Sequence, residues 1–145
     1  MLWYMLVVMD TDVLTAAVVS ATGASRFLLR EIGLRRLRAA VSVPLMLEYE
    51  AVLKRPKTLA RSGGTIADME IILDQLAAVV ERVSIWYLWR PRLKDSNDDM
   101  VLEAAANAAA SHIITFNLRD YGTVPSQFGI TVCRPAELVK RIRDG

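Results

Sequence analysis

KDSNDDMVLEAAANAAASHIITFNLRD, which spans residues 94–120, decides the fold of this chain. It opens with three carboxylates in five residues and continues as an alanine-rich run that predicts a helix. The short β-branched run that follows, at 113–115, predicts a buried strand. In an open α/β sheet, ligands bind beyond the carboxyl ends of the strands. Acids at the helix start and polar groups just past the strand are therefore expected at one crevice.

The three carboxylates, Asp95, Asp98 and Asp99, have two explanations. Acids in the first turn stabilise the positive end of a helix by roughly 0.3–1 kcal/mol each, which accounts for one or two of them. Three carboxylates so close together repel one another, and that repulsion favours a bound cation. This stretch alone leaves helix capping and a metal site about equally open, so the rest of the chain has to decide.

Length and composition indicate one domain over residues 1–145 that is not a membrane protein. No apolar run approaches the length of a membrane span. Residues 1–9 lack a basic segment and a cleavage site, so they predict a buried strand rather than a signal segment. The single cysteine, Cys133, excludes an internal disulfide. Together with the missing export signal, it indicates a cytoplasmic location.

The chain has few residues for the common nitrogen and sulfur chemistries. His112 is its only histidine and falls in a predicted strand, where packing is the expected role. The chain therefore has almost none of the residues that a histidine–cysteine zinc site or a Ser–His–Asp triad requires. Any metal site must be rich in oxygen ligands, which favours Mg²⁺ or Mn²⁺.

The net charge is only +2, but the basic residues are grouped at 26–38, 54–61 and 90–94. Each group alone is expected to be a solvated face. Together the three groups permit a polyanionic partner such as a nucleic acid.

Apolar patterning and turn residues predict the element order β-α-β-α-α-β-α-β-β-α. The predicted strands lie at 5–9, 39–43, 81–87, 113–116 and 130–133, and the predicted helices at 24–31, 45–54, 66–80, the alanine-rich run, and 135–143. Thr65 and Asp68 resemble a capping box. This alternation predicts an α/β protein with a mostly parallel sheet and helices on both faces.

Four polar side chains are expected to converge at the carboxyl edge of that sheet. Asp10 follows the first strand, although a lone aspartate there often only caps a turn. Glu48 lies one turn into the helix after the second strand, where a solvent-facing position is the alternative. Asn117 ends the fourth strand, and Asp98 opens the acidic helix. Clustered carboxylates and a carboxamide can hold a divalent cation that activates water or steadies a phosphate.

Helical spacing separates the two candidate acids of the acidic helix. Asp98 shares a face with Leu102 and Ala105 and is predicted to point toward the sheet. Asp99 aligns with Glu103 and Asn107, a stripe predicted to be solvated.

On these residues the chain resembles PIN-domain proteins, of the branch that contains toxins of toxin–antitoxin pairs. The matching segments cover nearly the whole chain in order: VVMDTDVL at 7–14, VPLMLEYEAVL at 43–53, KDSNDDMVLEAA at 94–105 and IITFNLRDY at 113–121. The resemblance implies a three-layer α/β/α sandwich and Mg²⁺- or Mn²⁺-dependent cleavage of RNA. It also implies Asp10, Glu48 and Asp98 as the metal-binding acids, with Asp99 as the alternative to Asp98 if the helix register differs by one.

Two positions depart from the family pattern. The family commonly has asparagine where this chain has Asp12, and often has aspartate where this chain has Asn117. Asparagine remains an oxygen donor, so metal binding can survive there, and Asp12 can restore the lost charge. These departures put a second metal site in doubt.

Partners follow from the resemblance and from exposed apolar content. We expect an RNA substrate, an antitoxin protein that docks near the basic helices, and a homodimer. The aromatic residues Trp86, Tyr87 and Trp89 can stack on bases, but core or dimer-contact roles are the favoured interpretation.

Two other functions compete with the ribonuclease. LVVMDTDVLT also resembles the first motif of haloacid-dehalogenase-like phosphatases, with Asp10 as nucleophile and Asp12 as general acid. In that family the acidic pair follows the threonine motif, whereas here it precedes Thr115. The third interpretation is a degenerate PIN fold that only binds. Because the phosphatase order fails, we expect direct attack of water rather than a covalent aspartyl intermediate.

Overall fold

The computed structural model describes residues 5–86 and 93–145 and confirms the α/β class, with five parallel strands in one sheet. The strands are β1 (Leu6–Met9), β2 (Arg38–Val41), β3 (Glu81–Arg82), β4 (His112–Ile114) and β5 (Thr131–Cys133). Their order across the sheet is β3-β2-β1-β4-β5. The central strands β1, β2 and β4 are almost wholly buried, as expected for a sheet covered on both faces.

Helices cover the sheet and give the three-layer α/β/α sandwich that the resemblance implies. They are α1 (Thr11–Val19), α2 (Ala24–Gly33), α3 (Val43–Leu53), α4 (Pro56–Ser62), α5 (Ile66–Val79), α6 (Ser96–Ala108), α7 (Leu118–Tyr121) and α8 (Pro135–Asp144), with a 3-10 turn at Pro125–Phe128. No single helix in the described ranges has the length and apolar content of a membrane span. The α1–α2 pair has both only when its members are taken together across a 98° bend.

The strand order reverses between β1 and β4. From β1 the chain builds outward through β2 to β3, and it then crosses back by α6 to place β4 on the other side of β1. Such a reversal separates the connections on the two sides and opens a crevice at the carboxyl ends of the two strands. Asp10 follows β1 and Thr115 follows β4, so both stand at this crevice.

Several predictions of local structure are confirmed. Thr65 and Asp68 exchange backbone and side-chain hydrogen bonds of 2.9 and 3.1 Å at the start of α5, which makes the predicted capping box. Helix α6 contacts β1, β2 and β4, and its residues Ala104 and Ala105 are fully buried. His112 is buried, with its Nδ1 2.8 Å from the Ser111 hydroxyl, as expected for a packed residue.

Three helices differ from the sequence prediction, and three strands end early: the strands predicted at 39–43, 81–87 and 113–116 end at Val41, Arg82 and Ile114. Helix α1 is rich in β-branched and alanine residues without a clear helical period, so only its packing against α2 and α3 reveals it. Pro56 marks the predicted end of α3, yet it also occupies the first turn of α4. The four residues of α7 give no periodic signal. β3 ends at Arg82, so the predicted strand is wrong at 83–86, and residue 87 lies outside the described range.

Candidate active site

Asp10 is held at the end of β1 by four groups from two sides of the crevice. Its carboxylate caps α1 through a 2.7 Å bond from the Thr11 N–H to Oδ1. The other oxygen, Oδ2, accepts bonds from the hydroxyls of Thr115 at 2.8 Å and Tyr121 at 2.9 Å. The Asp10 N–H donates to the carbonyl of Ile114 at 2.9 Å. Only 4% of Asp10 is exposed, so this carboxylate has one fixed orientation.

Two buried tyrosines fix the surroundings of Asp10. The Tyr49 hydroxyl donates to the carbonyl of Met9 at 2.6 Å and so attaches α3 to the end of β1. Tyr121, fully buried on α7, has its pKa raised by burial and by the Asp10 carboxylate. Its hydroxyl therefore stays protonated at ordinary pH and acts as a constant donor to Asp10.

Asp12 lies beside Asp10 and binds the chain beyond β4. Its Oδ2 accepts the Phe116 N–H and the Asn117 side-chain amide, each at 3.0 Å. Its Oδ1 is buried and has no hydrogen-bond partner among the residues that the structure describes. Burial, and then the charge of Asp10, raise the Asp12 pKa to about 6. A buried carboxylate oxygen without a donor is an open position for a cation or a water molecule.

Asp98 faces the same acidic group, as its position on the helix predicts. It is 8% exposed, and its pKa is raised to about 7. Burial is the largest cause, followed by the charges of Asp10, Asp95 and Asp120. A hydrogen bond from Tyr121 acts in the opposite direction. Asp98 and Asp10 therefore lie in one region of negative charge, and within the described residues no cation forms an ion pair with either.

The prediction of a solvated stripe on α6 is wrong. Asp99 and Glu103 are each only 3% exposed. The Asp99 carboxylate accepts the Leu93 N–H at 3.1 Å, and the Asn107 side chain accepts the Trp86 N–H at 3.0 Å. Helical spacing identifies the residues that share a face, but it does not reveal that a neighbouring chain segment covers this second face. Asp99 is therefore engaged by the chain that leads into α6.

Neither Glu48 nor Asn117 forms a hydrogen bond with Asp10 in the described ranges. The Glu48 carboxylate forms an ion pair with Arg55 at 3.8 Å. In the described ranges it makes no hydrogen bond or ion pair with the other acids. Asn117 is bonded to Asp12 rather than to Asp10. The contacts thus connect Asp10, Asp12 and Asn117 through Thr115. Glu48 is partly buried and is paired with Arg55.

The donor chemistry of this group fits Mg²⁺ or Mn²⁺. Every candidate ligand is an oxygen, and one Asp12 oxygen has no partner among the described residues. Burial first, and neighbouring carboxylates second, raise the pKa values of Asp12 and Asp98, and a cation would offset the second cause. Within residues 5–86 and 93–145, no three acids or other common ligands form a ready-made cage. Mg²⁺ usually binds through one or two carboxylates, with waters and substrate phosphates completing the shell. Asp10 with Asp98 is sufficient for that mode.

Two contributors to the site have no clear signal in the sequence. Tyr121 belongs to the quoted IITFNLRDY segment, but an aromatic residue there gives no sign that its hydroxyl reaches Asp10. Asp120 stands out only as a polar residue after the strand, although its charge acts on Asp98. Both depend on the short helix α7, which turns the chain back toward the crevice. Of the predicted aromatic group, Trp86 is 81% exposed, while Tyr87 and Trp89 lie outside the described residues.

The two departures from the family pattern contact each other. The carboxylate of Asp12 and the amide of Asn117 form one pair, so the family's usual asparagine and aspartate have exchanged places across a single hydrogen bond. The exchange conserves one negative charge and one amide. It explains physically how both departures can coexist.

This pairing predicts a measurable coupling. Asn117→Asp would put two carboxylates in contact, and we expect it to lower the free energy of unfolding of the metal-free protein by about 1 kcal/mol at pH 8. Adding Asp12→Asn should restore most of that loss, because the pair again holds one charge and one amide. Urea unfolding of the four proteins gives the coupling energy. Additive effects of the two substitutions would show that the pair is not coupled.

Comparisons with known proteins agree with this architecture. A family model described as a PIN domain matches residues 6–119. Solved structures that match include VapBC2 from Rickettsia felis, bound to a DNA fragment from its own promoter. The TM-score is 0.60 at 14% identity, over 90% of this chain and 98% of that chain, so the likeness concerns the fold alone. No curated protein sequence gives a significant match.

Proposed function

The chain belongs to the PIN-domain family, and from that premise we propose that it is a Mg²⁺- or Mn²⁺-dependent endoribonuclease that hydrolyses phosphodiester bonds in RNA. PIN domains are generally nucleases. One observation carries the proposal for this chain: Asp10 and Asp98 are buried at the switch point of the sheet and act on each other's charge, with no cation paired to either among the described residues. Helix capping alone does not explain why both acids are buried there, because the burial of a charge without a cation partner is costly.

Asp10 and Asp98 would hold the proposed ion, with Glu48 acting directly or through a water molecule. When bound, Mg²⁺ or Mn²⁺ lowers the pKa of a water and polarises the phosphate. Asp99 is the less favoured ligand because its carboxylate already accepts the Leu93 N–H.

The remaining residues of the group position the reactants. Thr115 and Tyr121 donate hydrogen bonds to Asp10 Oδ2 and so fix the orientation of the carboxylate. Asn117 donates its side-chain amide to Asp12, and in this proposal its side-chain carbonyl orients the attacking water. In the reaction the water oxygen forms a bond to phosphorus, the bond to the leaving nucleotide oxygen breaks, and that oxygen takes up a proton.

The order of the acidic residues along the chain disfavours the phosphatase alternative. In that family the acidic pair follows the threonine motif, whereas here Asp98 and Asp99 precede Thr115. Membership of the PIN-domain family also disfavours the phosphatase fold.

We also propose that the protein is the toxin of a toxin–antitoxin pair, with an antitoxin as partner and a homodimer as its assembly. The matched structure is that of a VapBC2 complex, which supports a partner protein of this class. Exposed apolar side chains on α3, Val43 at 70% and Leu47 at 61%, support a further protein contact. Light scattering of the protein alone, and with the product of a neighbouring reading frame, tests both partners.

Cleavage of single-stranded RNA in ¹⁸O-labelled water tests the reaction. With Mg²⁺ or Mn²⁺ we expect product phosphates that carry one ¹⁸O, and no cleavage with chelator present. A 2′,3′-cyclic phosphate formed without ¹⁸O would contradict direct attack of water. Release of phosphate from p-nitrophenyl phosphate with RNA left intact would support the phosphatase instead, and RNA binding without cleavage would support the degenerate module.

A further inference from the structure

A basic cleft opens beside the acidic group. It has a volume of about 400 Å³, within the ~300–1,000 Å³ range of ligand pockets. Asp12 and Phe116 line it on the side of the crevice, and Arg55, Lys57 and Arg61 line it on the side of α4. We refer to these five residues as the basic cleft. Because Asp12 belongs to both, the basic cleft continues directly from the candidate active site.

Two cations of the basic cleft stand on a helix that is fixed in position, and neither has a partner among the described residues. Lys57 and Arg61 are one helical turn apart on α4 and so lie on the same face. Both are exposed, and in the described chain neither makes a hydrogen bond or an ion pair. Thr58, between them, is buried and donates to the carbonyl of Val52 at 2.9 Å, which fixes α4 against α3. Two exposed cations on a fixed helix are suited to binding an anion.

Phe116 gives the cleft an aromatic wall. Its side chain is 44% exposed, although it directly follows the fully buried Thr115. Its backbone N–H donates to Asp12 Oδ2, so the residue is held at the junction of acid and cleft. An exposed aromatic ring beside free cations is the combination that binds single-stranded nucleic acid, with phosphates on the cations and a base on the ring.

We propose that the basic cleft is a substrate subsite that binds one nucleotide next to the cleaved bond. Lys57 and Arg61 bind backbone phosphates of that nucleotide and its neighbour, and Phe116 stacks on its base. This inference rests on the proposed ribonuclease function and adds a requirement to it, namely an unpaired base at a fixed distance from the cut. An acidic protein segment is the competing occupant, but acidic side chains would not stack on the exposed Phe116 ring beside Asp12.

Salt-dependent binding tests the phosphate contacts. Asp10→Asn protein, which should not cleave, is titrated with fluorescein-labelled single-stranded RNA from 50 to 300 mM salt. Adding Lys57→Ala and Arg61→Ala should weaken binding about tenfold or more and should lower the salt slope by about 0.7 for each phosphate that is no longer neutralised. The matched control, Arg82→Ala with Lys140→Ala, removes the same charge from exposed positions elsewhere and should change both quantities little.

An abasic scan of the RNA tests the stacking contact. In this experiment each base in turn is removed, and affinity is measured for proteins with Phe116 or Phe116→Ala. Phe116→Ala should weaken binding of intact RNA by roughly 5- to 100-fold, and Phe116→Tyr should restore it. One abasic position next to the cut should weaken binding with Phe116 present and have no further effect on Phe116→Ala.

The outcomes separate this subsite from the proposed function. We call the protein with Lys57→Ala and Arg61→Ala the α4 variant. If RNA is cleaved at the candidate active site but the α4 variant matches the charge control in affinity and salt slope, the subsite is wrong and the ribonuclease stands. The same holds if no single abasic position loses its effect on Phe116→Ala. If the α4 variant keeps RNA affinity and instead loses binding of the antitoxin, the cleft is a protein site. If the protein neither binds nor cleaves RNA, the subsite and the proposed function both fail.

Discussion

Replacing Asp10 by asparagine is expected to slow RNA cleavage by about a thousandfold or more. The carboxylate is the central acid of the site, and stabilisation of charge by an ion is worth several kcal/mol, with each ~1.4 kcal/mol equal to a factor of ten in rate. Single-turnover cleavage at saturating Mn²⁺ measures the effect. The matched control is Asp74→Asn, which removes the same charge from an exposed position on α5 and should leave the rate unchanged.

The fold should survive Asp10→Asn. Asparagine retains one oxygen to accept the Thr11 N–H as the cap of α1. The hydroxyls of Thr115 and Tyr121 lose a charged acceptor, but the relief of repulsion on Asp12 and Asp98 acts in the opposite direction. We therefore expect an unchanged circular dichroism spectrum and an unfolding free energy within about 1 kcal/mol of the parent. A fully active Asp10→Asn protein would remove this residue from the reaction.

Asp98→Asn is expected to have opposite effects on activity and stability. Cleavage should fall by about a hundredfold or more, since the second carboxylate that holds the ion is removed. The metal-free protein should become more stable at pH 8, by on the order of 2 kcal/mol. The raised pKa of Asp98, about 7, corresponds to a larger cost at about 1.4 kcal/mol per unit, but water access to the crevice reduces it.

The sign of the pH dependence follows from the raised pKa. The folded protein holds the Asp98 proton up to about pH 7, whereas the unfolded chain releases it near pH 4. The stability of the parent should therefore fall as pH rises from about 4 to 7, and the full cost should remain above pH 7. The advantage of Asp98→Asn should disappear toward pH 4. Urea unfolding of both proteins with chelator, at pH 5 and pH 8, checks this; equal stabilities at pH 8 would mean that Asp98 carries no uncompensated charge.

The sequence predicts correctly the elements whose pattern of apolar residues matches their burial in the folded protein. Strand β1 is apolar on both faces and buried on both, so its end at Asp10 could be located directly. The acidic start of α6 placed Asp98 toward the sheet because helical spacing fixes relative faces. These two positions, with Thr115 after β4, define the candidate site.

Other features depend on contacts between distant segments. Helix α1 gains its stability from packing rather than from residue preference, and α4 shares its first proline with the end of α3. The approach of Tyr121 to Asp10 crosses 111 positions of sequence, and it requires the short turn of α7. The burial of Asp99 requires the chain before α6 to lie over that face. Sequence periodicity describes one segment at a time, so it does not reveal contacts between distant segments.

The most direct test of the account is restoration of cleavage by added metal. Protein freed of metal with chelator and then dialysed is mixed in excess with single-stranded RNA, and the cleavage rate is followed as Mn²⁺ is added. We expect no cleavage without Mn²⁺, a saturable rise in rate for the parent protein, and a response reduced about a thousandfold for Asp10→Asn. Cleavage that persists in the metal-free protein, or that Mn²⁺ restores equally in Asp10→Asn, would contradict a metal-dependent site at this edge of the sheet.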